Sequence, residues 1–322
     1  MNHIALICDD AYVLPTAVTI QSIKACAEKV HDCKLCIHVC TPGLTNHNES
    51  VLTSLASSFV EVQVICIDFN KFENKIARIK QQTHVSIAAL IKFELPNLFQ
   101  NIDQILYLDS DIVVKGDFLK IFSVDLTDFY LAAVFEFWKY LNDLRFTPSN
   151  MKKNVFFFNS GVMFFNLKKM RHDSIVAQLW DYKLNHSKTK LMDQECFNAV
   201  CGKSVRPLSI KWNFNPVFKD VFYLSSINKV YAEKYVTVDE LVEDSCIIHY
   251  VGKGDKPWIY KKAKLRYLWD SHYEAVFRGQ SLELQDYTPP KKNFFRRFLE
   301  IKQCFGITGF LNFLIYKIKG GL

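Results

Sequence analysis

The sequence predicts an α/β fold built on a mainly parallel central sheet, with a small helical appendage at its C-terminal end. Three observations lead there. Strand-like apolar runs alternate with helical patterns from the first residues onward, the order that yields parallel strands joined by helices. At 322 residues, 49% hydrophobic and 23% charged, the chain can build one substantial core and carries the charge of an ordinary globular domain. No internal repeat, low-complexity linker or second core interrupts the pattern.

Taken in order, "IALIC" (4–8) reads as a buried strand and "TAVTIQSIKACAEKV" (16–30) as the helix after it. "KLCIHVC" (34–40) and "VEVQVICIDF" (60–69) follow as strands, with a helix over "ESVLTSLASSF" (49–59) between them. A helix over "SIAALIKFEL" (86–95) is expected to end near Pro96. The next strand is the "ILYL" of "QILYLDSDIVVKGD" (104–117). Further strands are "YLAAVFEF" (130–137), "GVMFFNL" (161–167) and "SCIIHYV" (245–251); "SIVAQLWDYKL" (174–184) and "DQECFNAV" (193–200) read as helices. Such a sheet binds ligands at the carboxyl ends of its strands. Residues 1–280 are expected to form the catalytic domain and 281–322 a tail.

Charge is unevenly placed. Seven of the 40 Lys and Arg lie in residues 291–322 against a single acid, Glu300, so the body before them is nearly neutral. A neutral body argues against nucleic acid as a partner. The tail, "NFFRRFLEIKQCFGITGFLNFLIYKIKGG", interleaves aromatic and basic residues, and its apolar run from Cys304 to Tyr316 is shorter than the ~20 residues a span needs. That composition suits the surface of an anionic membrane. "MNHIALICDDAY" has no long apolar core, so no secretory signal is expected, and the ten cysteines read as free thiols of a reducing cytoplasm. The expected location is therefore cytoplasmic, peripheral on the inner face of the cell membrane. Cys33, Cys36 and Cys40 have no second Cys/His pair at zinc-finger spacing and read as thiols in or beside a strand.

The chemistry concentrates at Asp109-Ser110-Asp111, where an apolar strand ends in two carboxylates. Like charges at that spacing repel unless a cation stands between them, and hard oxygen ligands suit Mg²⁺ or Mn²⁺. No G-x-G-x-x-G follows the first strand; Cys8-Asp9-Asp10-Ala11-Tyr12 stands there instead, able to accept from a base or ribose but repelling phosphate. Two chemistries fit the motif. One is phosphoryl transfer of the haloacid-dehalogenase type, with Asp109 as nucleophile and Asp111 as acid/base. The other is metal-dependent glycosyl transfer from a sugar nucleotide, with both carboxylates on the ion. The segment "IIHYVGKGDKPW" (247–258) discriminates. His249 offers a third ligand, Lys256 a point charge for a diphosphate, and Gly252 and Gly254 close backbone approach. Phosphoryl transfer leaves that segment without a task.

Strand, D-x-D and a late H-x-x-G…K-P-W together resemble glycosyltransferase family 8, which includes bacterial lipopolysaccharide galactosyl- and glucosyltransferases and glycogenin. The resemblance runs collinearly from Ile4 to Trp258 and takes in "CDDAY", "HVSIAALIKF", "FFNSGVMFFNL" and "MDQECFN". It implies a nucleotide-sugar-binding, Rossmann-like fold of the GT-A type, a UDP-hexose donor (galactose or glucose), and an α-linkage made with retention. Asp109, Asp111 and His249 would hold Mn²⁺ or Mg²⁺, and Ser110, between the carboxylates, would join Asp109 in binding the donor. Cys8 and Asp9 would hold the nucleoside, and Gly252 and Lys256 the diphosphate. Lys92, Asn159 and Asp193 would contact the donor sugar, and Gln194 would lie on the β-face of its anomeric carbon. Gln194 and Asp193 are thus the candidate catalytic residues.

This sequence departs from the family pattern in places. Leu90 and Lys92 stand where Tyr and Arg are frequent, Ala11 replaces Asn or Thr, and Glu136 takes the place of a donor-sugar Asp. One extra residue precedes Lys256, which lets Lys253 share its role. Part of "RFTPSNMKKNVFFF" (145–158) is expected to form an aromatic acceptor lid. The expected function is glycosyl transfer to a lipopolysaccharide or other lipid-linked or surface glycan. The alternatives are a haloacid-dehalogenase-type phosphatase and a non-catalytic protein that binds sugar nucleotide or glycan.

Overall fold

The computed structural model describes residues 1–30, 33–77, 87–136, 157–186, 192–219, 224–252 and 254–288. The basic tail from 289, Lys253, most of the expected lid, and Ser86 at the start of the third helix pattern lie outside the described residues.

Seven strands form the main sheet: β1 (Asn2–Ile7), β2 (Leu35–Thr41), β3 (Val60–Cys66), β4 (Gln104–Leu108), β6 (Leu131–Phe135), β7 (Phe158–Asn166) and β8 (Val205–Leu208). Their order is β3-β2-β1-β4-β7-β6-β8. β3, β2, β1 and β4 run parallel, β7 is antiparallel to both β4 and β6, and β8 is parallel to β6. The sheet is mainly parallel, as the alternation of patterns predicts. A separate two-stranded sheet pairs β5 (Ile112–Val114) with β9 (Ile247–His249) antiparallel.

Nine helices cover these sheets among the described residues, one-turn and 3₁₀ segments aside: α1 (Val13–Ala27), α2 (Asn46–Thr53), α3 (Ile91–Leu98), α4 (Leu167–His172), α5 (Ile175–Asn185), α6 (Met192–Cys201), α7 (Leu224–Tyr231), α8 (Val238–Asp244) and α9 (Arg266–Val276). α1 begins three residues before its pattern, because Pro15 falls within its first turn, where a missing N–H costs nothing. α3 runs through Pro96 to Leu98 instead of stopping there. Arg171 compensates at that end: its Nη1 donates to the carbonyls of Pro96 (3.4 Å), Phe99 (2.9 Å) and Ile102 (3.1 Å).

Apolar residues fill both faces of β1 and β4, so their apolar runs are continuous rather than alternating. Ile4, Leu6, Leu106 and Leu108 pack toward α1 and α9, where Trp269 and Tyr273 join the core. Ala5, Ile105 and Tyr107 pack on the other side with Phe93, Trp180 and Phe197. β1 and β4 are neighbours, and the order of strands reverses between them. The carboxyl ends of those two strands are therefore the crevice where an open sheet of this kind binds ligands.

Candidate active site

Three elements converge on that crevice. β4 delivers Asp109 at its end, and the Asp109 N–H donates to Gly161 O at 2.8 Å, which fixes the carboxylate beside the start of β7. Ser110 turns back into the core: its hydroxyl donates to Ile7 O (2.9 Å) and its carbonyl accepts from Thr19 (3.0 Å). Its side chain thus latches the D-x-D turn to β1 and faces away from the crevice. Asp111 then leads into β5, whose register sets Ile112 opposite His249. The Tyr250 N–H donates to Asp111 O at 3.0 Å. Two short strands therefore bring a histidine to a carboxylate that lies far from it in sequence.

His249 Nε2 lies 3.1 Å from Asp111 Oδ1 and 3.6 Å from Asp109 Oδ2. One ligand atom from each of the three falls within 4.8 Å of the others. The tautomer of His249 follows from a chain of hydrogen bonds. The Gly161 N–H donates to Asn159 Oδ1 (2.9 Å), which fixes that amide. Asn213 Nδ2 donates to the same oxygen (2.9 Å), leaving Asn213 Oδ1 to face His249 Nδ1 at 2.9 Å. Nδ1 therefore carries the proton, and Nε2 presents a lone pair toward Asp111. Asp111 Oδ1 is buried and has no hydrogen-bond partner. Two lone pairs facing each other at that distance call for a cation or an added proton.

Two observations support a hard divalent ion at this triad. The oxygen–oxygen–nitrogen set is the donor chemistry that Mg²⁺ and Mn²⁺ accept. A Cβ at Gly161 would come within 2.1 Å of His249 Cε1 and 2.7 Å of Asp109 Oδ2, so glycine is what leaves room for the triad to assemble.

Two lysines flank the carboxylates. Lys92, on α3, lies 3.0 Å from Asp109 and 2.7 Å from Asp193, with its Nζ 4.6 Å from the centre of the Tyr107 ring. Burial alone would lower its pKa, but Asp109 and Asp193 outweigh that and raise it, so the ammonium stays charged. The Tyr107 hydroxyl donates to Asp109 Oδ1 at 2.6 Å. Lys256 pairs with Asp111 and also donates to Tyr250 O (2.8 Å). Burial works against ionised Asp111, but the Lys256 ammonium prevails and holds its carboxyl far below the usual carboxylate range.

Gln194, on α6, accepts through Oε1 from the Ser160 N–H (3.1 Å) and from Asn159 Nδ2 (3.3 Å). Asn198, one turn on, exchanges both bonds with the Phe158 backbone and anchors α6 to β7. Asn159 also donates to Glu136 (2.8 Å). A cleft opens beside this network, with Glu136, Asn159, Asn213 and Asn215 over Phe135 and Phe218. Asp9 Oδ1 is buried without a hydrogen-bond partner at the end of β1. The Cys8 side chain is buried beneath that turn, where burial pushes its thiol up to about 12. Gly252 has a φ of +107°, a conformation that side chains resist, and it turns the chain from β9 toward Lys256.

The structure thus gathers Asp109, Asp111, His249, Lys92, Asp193, Asn159, Gln194 and Lys256 around one crevice, with Asp9 at its rim. It adds Asn213 and Tyr107, which no sequence pattern marks. Tyr107 reads as one more apolar strand residue, and Asn213 lies in "KWNFNP" outside any periodic element.

A carboxylate pair and a histidine thus stand at the switch point of an α/β sheet, the place where folds of this class bind their ligands. The profile of glycosyl transferase family 8 matches residues 3–262, and the chain belongs to that family. It is 25% identical over 219 residues to a putative glycosyltransferase of Haemophilus influenzae, covering 66% of this chain and 63% of that protein, just under two thirds of its length. It is 23% identical over 262 residues to general stress protein A of Bacillus subtilis, covering 80% and 87% respectively. To the lipopolysaccharide 1,2-glucosyltransferase of Escherichia coli it is 25% identical over 255 residues, covering 78% and 71%. The solved structure of galactosyltransferase LgtC with donor and acceptor sugar analogs superposes with a TM-score of 0.68 at 21% identity, covering 87% of this chain and 98% of that one. The fold is the GT-A type that the motifs imply.

Proposed function

We propose that the protein is a retaining, metal-dependent hexosyltransferase that moves galactose or glucose from a UDP-sugar to a lipopolysaccharide or other surface-glycan acceptor, forming an α-linkage. The observation that carries this reading is the Asp109–Asp111–His249 triad, with an unpartnered carboxylate oxygen facing an imidazole lone pair. Bound there, Mn²⁺ or Mg²⁺ would supply charge neutralisation for the diphosphate leaving group.

The chain's own residues do the rest. Lys256 is placed to meet phosphate oxygens, and the turn at Gly252 lets the backbone approach them. Asp9 Oδ1 offers an acceptor to the nucleoside. Asn159 and Asp193 line the position of the donor sugar, and the cleft past Glu136 gives its hydroxyls and those of the acceptor polar partners. Gln194 acts by position. Two N–H groups already draw on its amide oxygen, which makes that oxygen a weak nucleophile and favours same-face attack with the departing diphosphate taking the acceptor's proton. The phosphatase reading is weaker, because Asp109 Oδ1, a would-be nucleophile, is held by Tyr107 and Lys92.

The acceptor class rests on kinship with proteins named for lipopolysaccharide and galactosyl transfer. No described helix is long and apolar enough to cross a membrane. Attachment to the membrane through residues 289–322 is tested by flotation of the full chain with anionic liposomes against a version ending at Thr288; equal binding would remove that part of the proposal. For the reaction, Mn²⁺-dependent UDP-sugar hydrolysis that vanishes in Asp111→Asn supports transfer. Aspartyl-phosphate at Asp109 would replace it with phosphatase chemistry, and metal-dependent UDP binding without turnover on any donor would leave a binding protein.

A further inference from the structure

A second cluster of metal-ligating side chains lies at the opposite end of β1. His3 Nδ1 is 3.1 Å from His38 Nε2, and the two rings stack with centroids 5.3 Å apart. Cys36 Sγ is 3.9 Å from His38 Nδ1. Strand register explains the meeting: His3 pairs with Cys36 across β1 and β2, and Cys36 pairs with Glu61 across β2 and β3. Register partners in a parallel ladder, and residues two apart along a strand, share a face of the sheet. Phe99 closes the cluster, its ring 4.7 Å from that of His38. Cys36 and His38 are buried, and half-buried His3 leaves an entry path.

We propose that His3, Cys36 and His38 form a binding site for a thiophilic transition-metal ion, zinc above all, separate from the candidate active site. One ligand atom from each residue lies within 4.8 Å of the others. Tetrahedral zinc, with Zn–N near 2.0 Å and Zn–S near 2.3 Å, needs neighbouring ligands about 3.3–3.7 Å apart. Small side-chain rotations therefore close the set around an ion. The fourth position falls to solvent or to Glu61, the register partner of Cys36 on β3.

Binding exchanges a proton for the metal: the Cys36 S–H bond breaks, an S–metal bond forms, and one proton is released to solvent. The two sites differ in hardness. Sulfur with two imidazoles selects zinc or its softer neighbours, whereas the carboxylate-rich triad selects Mg²⁺ or Mn²⁺. They stand on the order of 15 Å apart, the length of β1. Cys36 and His38 come from β2 itself, and the third ligand, His3, is supplied across the sheet rather than along the chain.

Cobalt(II), a spectroscopic substitute for zinc, titrated into the reduced full chain tests the proposal. A thiolate-to-cobalt charge-transfer band should grow to saturation at one equivalent and bleach when zinc is added. It should persist in Asp111→Asn and vanish in Cys36→Ser. Zinc should also raise the melting temperature of the unaltered chain but not of His3→Gln, a change at a half-buried position outside the core. No band, a band that survives in Cys36→Ser, or equal zinc stabilisation of His3→Gln and the unaltered chain would overturn it.

Discussion

Asp109 and Asp111 are one residue apart, yet their surroundings differ in kind. Asp109 is held from inside the fold. Tyr107 donates to it, and Lys92 bridges it to Asp193 while also reaching the Ser160 carbonyl at 3.4 Å. Asp111 is held from a loop, by Lys256, and faces a histidine on a three-residue strand. The inner lysine is locked by acceptors from three elements and sets geometry. The outer lysine has only one carboxylate and one carbonyl, and in the proposed reaction it is the one a phosphate would draw away. Neighbours in sequence can thus divide a site into a fixed half and a reactive half.

Changes on the two sides should separate accordingly. The largest effect is expected for Asp111→Asn, which removes a ligand charge and the partner of Lys256; metal-dependent donor hydrolysis should fall at least ~10³-fold, as loss of a principal electrostatic element does. Lys92→Met should act on stability first. It strips a buried cation from two carboxylates, and denaturant unfolding should show a loss of about 3–5 kcal/mol. Lys256→Met should invert that pattern: kcat/KM for the donor drops ~10²-fold while the unfolding midpoint moves less, since Lys256 is less buried than Lys92 and pairs with one carboxylate instead of two. Equal destabilisation by the two lysine changes would erase the distinction between the halves. The smallest effect is expected from Asn213→Ala, which releases His249 Nδ1. Metal affinity measured by calorimetry should weaken ~10–100-fold with the fold intact.

Much of this was legible in advance, and the reasons are particular. β1 and β4 read clearly because strands covered on both faces leave uninterrupted apolar runs, and Asp109 and Asp111 stand out against them. His249, Gly252 and Lys256 read through their spacing. Asn213 did not, because its role comes from the bridge between Phe214 and Ile248, a contact between segments with no shared local pattern. α3 outran its expected end because Pro96 sits in its last turn, where Arg171, a residue on another helix, meets the carbonyls that follow at Pro96, Phe99 and Ile102. β8 was missed as a strand, since "VRPL" carries a proline and an arginine on an edge, where neither breaks the ladder. Local propensity describes elements; what joins them is tertiary.

The two-stranded sheet of β5 and β9 has one more consequence. It is only three residues long on each side, and it joins the middle of the chain to a segment near the end of the family region. A cation shared by Asp109, Asp111 and His249 would close a loop of about 140 residues, a constraint worth more to the folded chain the longer the loop it ties. The ion would then be a clasp as well as a reagent, and stripping it with chelator should first loosen the chain around 250–258, where a protease would find it.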